Sequence, residues 1–190
     1  MLFFDLIKEN AIIRRYIIMN SFDGALTILG IVIAMLVAGA MEPRIVIISS
    51  IGVIVATGVS GIWGGYSAER AERKRTIKIL EKHLMRKLRK TQIESEYKKM
   101  SLFMGLANGL SSTIVSFLLI MPFFLAQFNL ISKMEAYYFS VLLILVSLFV
   151  LGYFVGMIAK ERHLQHAIEM VGAGLLVGVI IYLFELIKVI

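Results

Sequence analysis

Five apolar runs of about 20 residues decide what this chain can fold into. They cover roughly 21–41, 44–67, 101–126, 136–159 and 168–188. A helix needs ~20 apolar residues to cross a hydrocarbon core about 30 Å thick. Backbone polar groups find no water there, so each spanning run must be helical. Hydrophobic residues make up 59% of the 190 positions and charged ones only 17%, outside the range of a water-soluble domain. The expected fold class is an all-α membrane protein with five transmembrane helices.

Charge then orients the spans. Lys and Arg number three before the first run, one in the next connection, twelve in residues 69–99, and one, two and one thereafter. Alternate sides thus carry 17 against 3. The positive-inside rule places the N-terminus and the long loop in the cytoplasm and the C-terminus outside a cell membrane. The first residues, MLFFDLIKENAIIRRYIIMN, lack the early basic stretch and small-residue cleavage site of a secretory signal. They read as an amphipathic interfacial helix over 1–20, with Phe3, Phe4, Ile7, Ile12 and Ile13 on its apolar face.

The second run has no stop signal at its basic end. Ile77, Leu80, Leu84 and Leu88 form one stripe in the helix-forming residues that follow it. The second helix is therefore expected to extend into a basic cytoplasmic helical hairpin, returning through a shorter helix at Ile93–Lys99. The layout is an interfacial helix over 1–20, helices 1–2 over 21–67, a basic insertion over 68–100 and helices 3–5 over 101–190. Basic residues just inside a membrane attract anionic head groups at about 1 kcal/mol each, which makes Arg73, Lys74 and Arg75 candidates for anionic lipid. Within residues 69–99 a single aromatic, Tyr97, and no binding motif argue against nucleic acid.

Glycines recur at four-residue spacing: Gly61 and Gly65, Gly105 and Gly109, Gly152 and Gly156, Gly174 and Gly178. Such pairs serve close packing within one bundle or a dimer interface. There is also an internal echo. MNSFDGALT at the first span and MGLANGLSS at the third align Asp23 with Asn108, and the second and fourth spans end in WGGYSAER and LGYFVGMIAKER. A parallel repeat would put Asp23 and Asn108 at equivalent positions of a transport pathway, with Tyr66 nearby.

Asp23 is the ionisable residue within residues 20–40. Read from the residues, it either caps the start of the first helix or binds a cation or proton inside the membrane. Glu69 and Glu72, on one face at the basic end of the second helix, either receive a cation or pair with Arg70, Arg73 and Lys74. His163, His166 and Glu169 sit at successive i, i+3 steps where the fifth helix begins. Imidazole and carboxylate at that spacing suit a divalent metal, while the helix N-terminus alone would also stabilise Glu169. Methionines in the spans read as packing. With no cysteine, no P-loop, no H-E-x-x-H and no G-x-S-x-G, an enzyme is not expected, nor a bound cofactor.

RRYIIMNSFDGALTILGIVIAM, the GIWGGYSAERAER region and the closing LGYFVGMIAKERHLQHAIEMVGAGLLVG together resemble the vacuolar iron transporter family, whose five spans and insertion after the second match in order. The resemblance implies a homodimer whose first two helices line a cation pathway. It also implies exchange of Fe2+ or Mn2+ against protons out of the cytoplasm, with Asp23 as the pathway carboxylate. The sequence departs from the family at three points. Val53 stands where the family has a glutamate, Gly61 where it has a methionine, and residues 69–99 carry 12 Lys/Arg against 5 Glu where the family's insertion is acidic. Two other functions remain open: a non-transporting relative that binds lipid or a membrane partner, and a carrier of an anionic solute.

Overall fold

A computed structural model describes residues 11–85 and 92–187. Residues 1–10 of the expected interfacial helix over 1–20, the stripe residue Leu88 and the C-terminal Lys188 lie outside the described residues. Residues 11–20 form no separate interfacial helix but the first turns of one that runs on to Val37. Six helices follow one another: α1 (Ala11–Val37), α2 (Pro43–Leu84), α3 (Gln92–Leu119), α4 (Met121–Gln127), α5 (Lys133–Ala159) and α6 (His163–Leu186). All but α4 are long and apolar enough to cross a membrane, and no strand occurs among the described residues. The chain is a multi-pass, all-α membrane protein.

Local chemistry sets where each helix stops. Gly39, at φ +69°, ends α1 in the left-handed conformation, and Ala40 N–H donates to Met35 C=O at 2.9 Å. That is a Schellman-type C-cap. Pro43 then opens α2, where a missing N–H costs nothing. At 42 residues α2 is about 63 Å long, twice the hydrocarbon thickness. Its second half projects beyond the membrane as the first arm of the basic hairpin. The returning arm is not a separate short helix: α3 runs unbroken from Gln92 into the bundle.

The third apolar run breaks where one helix was expected, and Pro122 is the reason. Lacking an N–H, it ends the hydrogen-bond ladder of α3 at Ile120. Phe123 N–H turns to Ile120 C=O at 3.0 Å, and the freed Leu119 carbonyl accepts from Ser140 Oγ at 2.8 Å. The short α4 that follows buries Phe123 edge-on against Tyr137, ring centroids 4.9 Å apart. A capping box starts α5: Ser132 Oγ accepts from Glu135 N–H, and the Glu135 carboxylate accepts from Ser132 N–H.

The core forms around α1. Its Ile28, Leu29 and Val32 pack with Ile54, Ile120, Phe123, Tyr137, Ile144 and Leu148. Helices α3, α5 and α6 surround α1, while α2 lies against α3 and only grazes α1. A cleft therefore opens between α1 and α2.

Glycines set the closest approaches. A methyl at Gly61 would stand 2.8 Å from Gly109 Cα, and one at Gly105 would stand 2.8 Å from the Ile62 carbonyl. Gly152 and Gly156 meet the start of α6 at Ala167 and His163, while Gly174 abuts Leu148 and Leu29. All four spaced pairs thus pack within the bundle. The glycines that face open space are others, among them Gly52 and Gly64 on α2.

A polar cleft inside the membrane span

The α1–α2 cleft encloses about 590 Å3 and is lined by Asn20, Asp23 and Thr27 from α1, Thr57, Ser60 and Gly61 from α2, and Ser112 from α3. Positions 20, 23 and 27 share a face by helical spacing, as do 57, 60 and 61. Gly24 explains how Asp23 comes to stand there. A methyl at Gly24 would lie 2.8 Å from both Ser112 C=O and Ser116 Oγ. Its absence lets α1 settle on α3, and Ser116 Oγ donates to Gly24 C=O at 3.2 Å. The neighbouring side chain is thereby turned into the cleft.

Helix α1 begins by Ala11, so Asp23 sits about three turns inside it. It is not an N-cap, because the N–H groups of that turn already bond within the helix. Its side chain is exposed to the cleft, and among the described residues it has no hydrogen-bond or ion-pair partner. The carboxylate is uncommitted.

Asn108 does not pair with Asp23. Its Oδ1 accepts from Asn20 Nδ2 at 2.6 Å and its Nδ2 donates to Gly61 C=O at 2.8 Å, so one amide ties α1 to α2 at the base of the cleft. Asn20 also donates to Tyr16 C=O at 2.6 Å. The contacts Asn20–Asn108 and Gly24–Ser112 advance together, so α1 and α3 run parallel. Tyr66 lies elsewhere, against Gly105 on the α2–α3 side.

Beyond the cleft, Glu69 accepts from Tyr16 Oη at 3.2 Å and pairs with Arg73 Nε at 3.5 Å. Glu72 reaches Arg75 at 3.9 Å on the exposed face. At the start of α6, His166 places Nδ1 3.2 Å from Glu169 and Nε2 3.0 Å from Glu161. The two nitrogens of one ring diverge, so these carboxylates do not converge with it on a single ion. His163 turns away to Tyr153, ring centroids 5.2 Å apart. Among the described residues no three His, Asp or Glu side chains are grouped to hold a metal. Asp23, Glu69, Glu72 and the His166–Glu169 pair are thus not gathered into one ligand set.

The hydroxyls of Thr27, Thr57 and Ser60 and the amide of Asn20 were not legible as site residues, since Ser, Thr and Asn are common in membrane helices. The signal available for them was their place on the same helical faces as Asp23 and Gly61.

The model of the VIT family matches residues 78–185, more than half of the chain. The chain belongs to the VIT family. Membership supports a membrane metal-ion transporter rather than an enzyme. This VIT-family chain is also 33% identical over 174 residues to the uncharacterized protein MJ0645 of Methanocaldococcus jannaschii, covering 90% of this chain and 87% of that one. No solved structure matches it. The family match begins at Lys78, so it carries the hairpin and the last helices of the VIT architecture, while the Asp23 cleft rests on its own geometry.

Proposed function

We propose that this VIT-family chain is a homodimeric, proton-coupled carrier of Fe2+ or Mn2+ that exports metal from the cytoplasm, with Asp23 as the carboxylate that binds metal and proton in turn. The observation that carries the reading is an uncommitted carboxylate, about three turns into a membrane helix, in a cleft lined by hydroxyls and amides. In a lipid-facing position a carboxylate at the bilayer centre costs about 2.5–3.5 kcal/mol. The chain retains one because a cation or a proton offsets that cost in turn.

The oxygen donors suit Fe2+ and Mn2+. Val53 and Gly61 supply no side-chain ligand where the family has glutamate and methionine, so one subunit offers a single carboxylate. A second subunit doubles it. Gly52, Ala56, Ser60 and Gly64 recur every four residues on the exposed face of α2 beside the cleft. A methyl added at Gly52 or Gly64 would meet no other helix within 4 Å. A small-residue stripe of this kind allows two copies of α2 to approach closely in lipid, closing two clefts over a shared path. The bias of 17 basic residues to 3 orients the hairpin toward the cytoplasm.

The test is metal uptake into proteoliposomes under an imposed pH gradient, native chain beside Asp23→Asn. Gradient-dependent Fe2+ or Mn2+ flux that falls to background in the variant is the expected result. An intact dimer with no flux under either condition would leave a non-transporting relative of the same fold.

A further inference from the structure

The projecting half of α2 and the start of α3 form a second pocket, away from the Asp23 cleft. Arg70, Arg73 and Lys74 line it from α2 and Lys98 from α3, with Tyr66 and Tyr97 as its aromatic walls. Tyr66, Arg70, Arg73, Lys74 and Ile77 share one helical stripe. No carboxylate is among the described residues that line it.

Its two arginines stand against aromatic rings. The Arg70 guanidinium lies 5.8 Å from the centre of the Tyr66 ring, and that of Arg73 lies 5.3 Å from the centre of Tyr97. The Arg73 side chain is only 21% exposed, against 74% for Arg75, which points outward to Glu72. Glu69 stands 3.5 Å from Arg73 Nε, yet that buried nitrogen makes no hydrogen bond. Arg70, Arg73, Lys74 and Lys98 give the pocket a positive lining, which Glu69 offsets at Arg73, and a lining of one sign favours a ligand of the other. Forked guanidinium and ammonium donors together are the groups that recognise phosphate.

Size and level agree. The pocket's volume of about 40 Å3 admits a group the size of a few waters. The apolar part of α2, from Pro43 to Tyr66, is about 35 Å long. Arg70 and Arg73 therefore stand just past the edge of a ~30 Å hydrocarbon core, where lipid phosphates lie.

We infer that Arg70, Arg73, Lys74 and Lys98 form a phosphate-binding pocket at the head-group level, whose ligand is the phosphate of an anionic phospholipid or of a soluble phosphate. The basic run just inside the membrane pointed to Arg73, Lys74 and Arg75. The pocket keeps the first two, excludes Arg75 and adds Arg70 and Lys98.

Native mass spectrometry of the full chain, purified in detergent and offered phosphatidylglycerol or phosphatidylcholine, tests it. Phosphatidylglycerol retained by the native chain and by Arg73→Lys is expected. In Arg73→Gln/Lys74→Gln retention should fall about tenfold or more, the scale of losing charge-assisted bonds, while Arg75→Gln retains it. Circular dichroism checks that the variants keep native helicity. Retention unaffected by 10 mM inorganic phosphate, about tenfold above the Kd of a millimolar site, assigns a lipid. Displacement by inorganic phosphate, with direct calorimetric binding, assigns a soluble phosphate. Equal retention of both lipids with no phosphate binding, or an Arg75→Gln loss equal to that of the double variant, overturns the pocket.

Discussion

Asn108 spends both ends of its amide on other helices, accepting from Asn20 and donating to Gly61 C=O. Asp23, three residues on from Asn20 along α1, spends its carboxylate on none of the described residues. The two therefore differ in kind, although their sequence contexts look alike. Replacing Asn108 with Ala leaves the Gly61 carbonyl without its side-chain donor and frees Asn20. Interhelical hydrogen bonds in membranes average well under the ~1–3 kcal/mol of a lost buried partner in water. The expected cost for Asn108→Ala is thus about 1 kcal/mol, read as lowered thermal stability in detergent. Asp23→Asn should leave that stability unchanged while removing flux. A large loss of stability in Asp23→Asn would make Asp23 a structural residue.

At the scale of elements, α2 and α3 owe their contact to missing side chains. Gly58, Gly61 and Gly65 interlock with Gly105 and Gly109, and a methyl at Gly109 would come within 2.5 Å of Gly58 C=O. In lipid, where burial of apolar surface gives no drive, such close backbone packing is what holds helices together. Gly109→Val should separate α2 from α3, at a cost of about 1–3 kcal/mol typical of overpacking. Because Asn108 sits on the same turn, the variant should also widen the cleft and lower transport. Gly64→Val, facing open space in one subunit, should leave monomer stability unchanged, so a thermal-shift assay on both variants separates the two roles.

For the whole molecule, the question is what covers the cleft. The chain has no cysteine, so single cysteines report on it cleanly. Ser60→Cys, on the small-residue stripe, should form an oxidant-dependent dimer within the membrane. Phe154→Cys, exposed on α5, should not. Equal cross-linking at both positions would indicate collision rather than a defined interface. The same architecture separates the cleft from the phosphate pocket: one opens between α1 and α2, the other between α2 and α3. Variants in one should leave the readout of the other unchanged.

The number of spans, the membrane setting, the extended second helix and the family were all legible in the residues. Each depends on the hydrophobicity, charge or motif order of a local window, which no distant contact alters. Asp23 stood out for the same reason. What tertiary structure alone decided was rotation and register. It set Gly61 against Gly109, turned Arg75 out and Arg73 in, gave Asn108 to Asn20 and began α1 early enough that Asp23 lies inside the helix. Those outcomes follow from how far a pair of helices can approach before backbone atoms collide. That distance is a property of both surfaces together and is written in neither segment by itself.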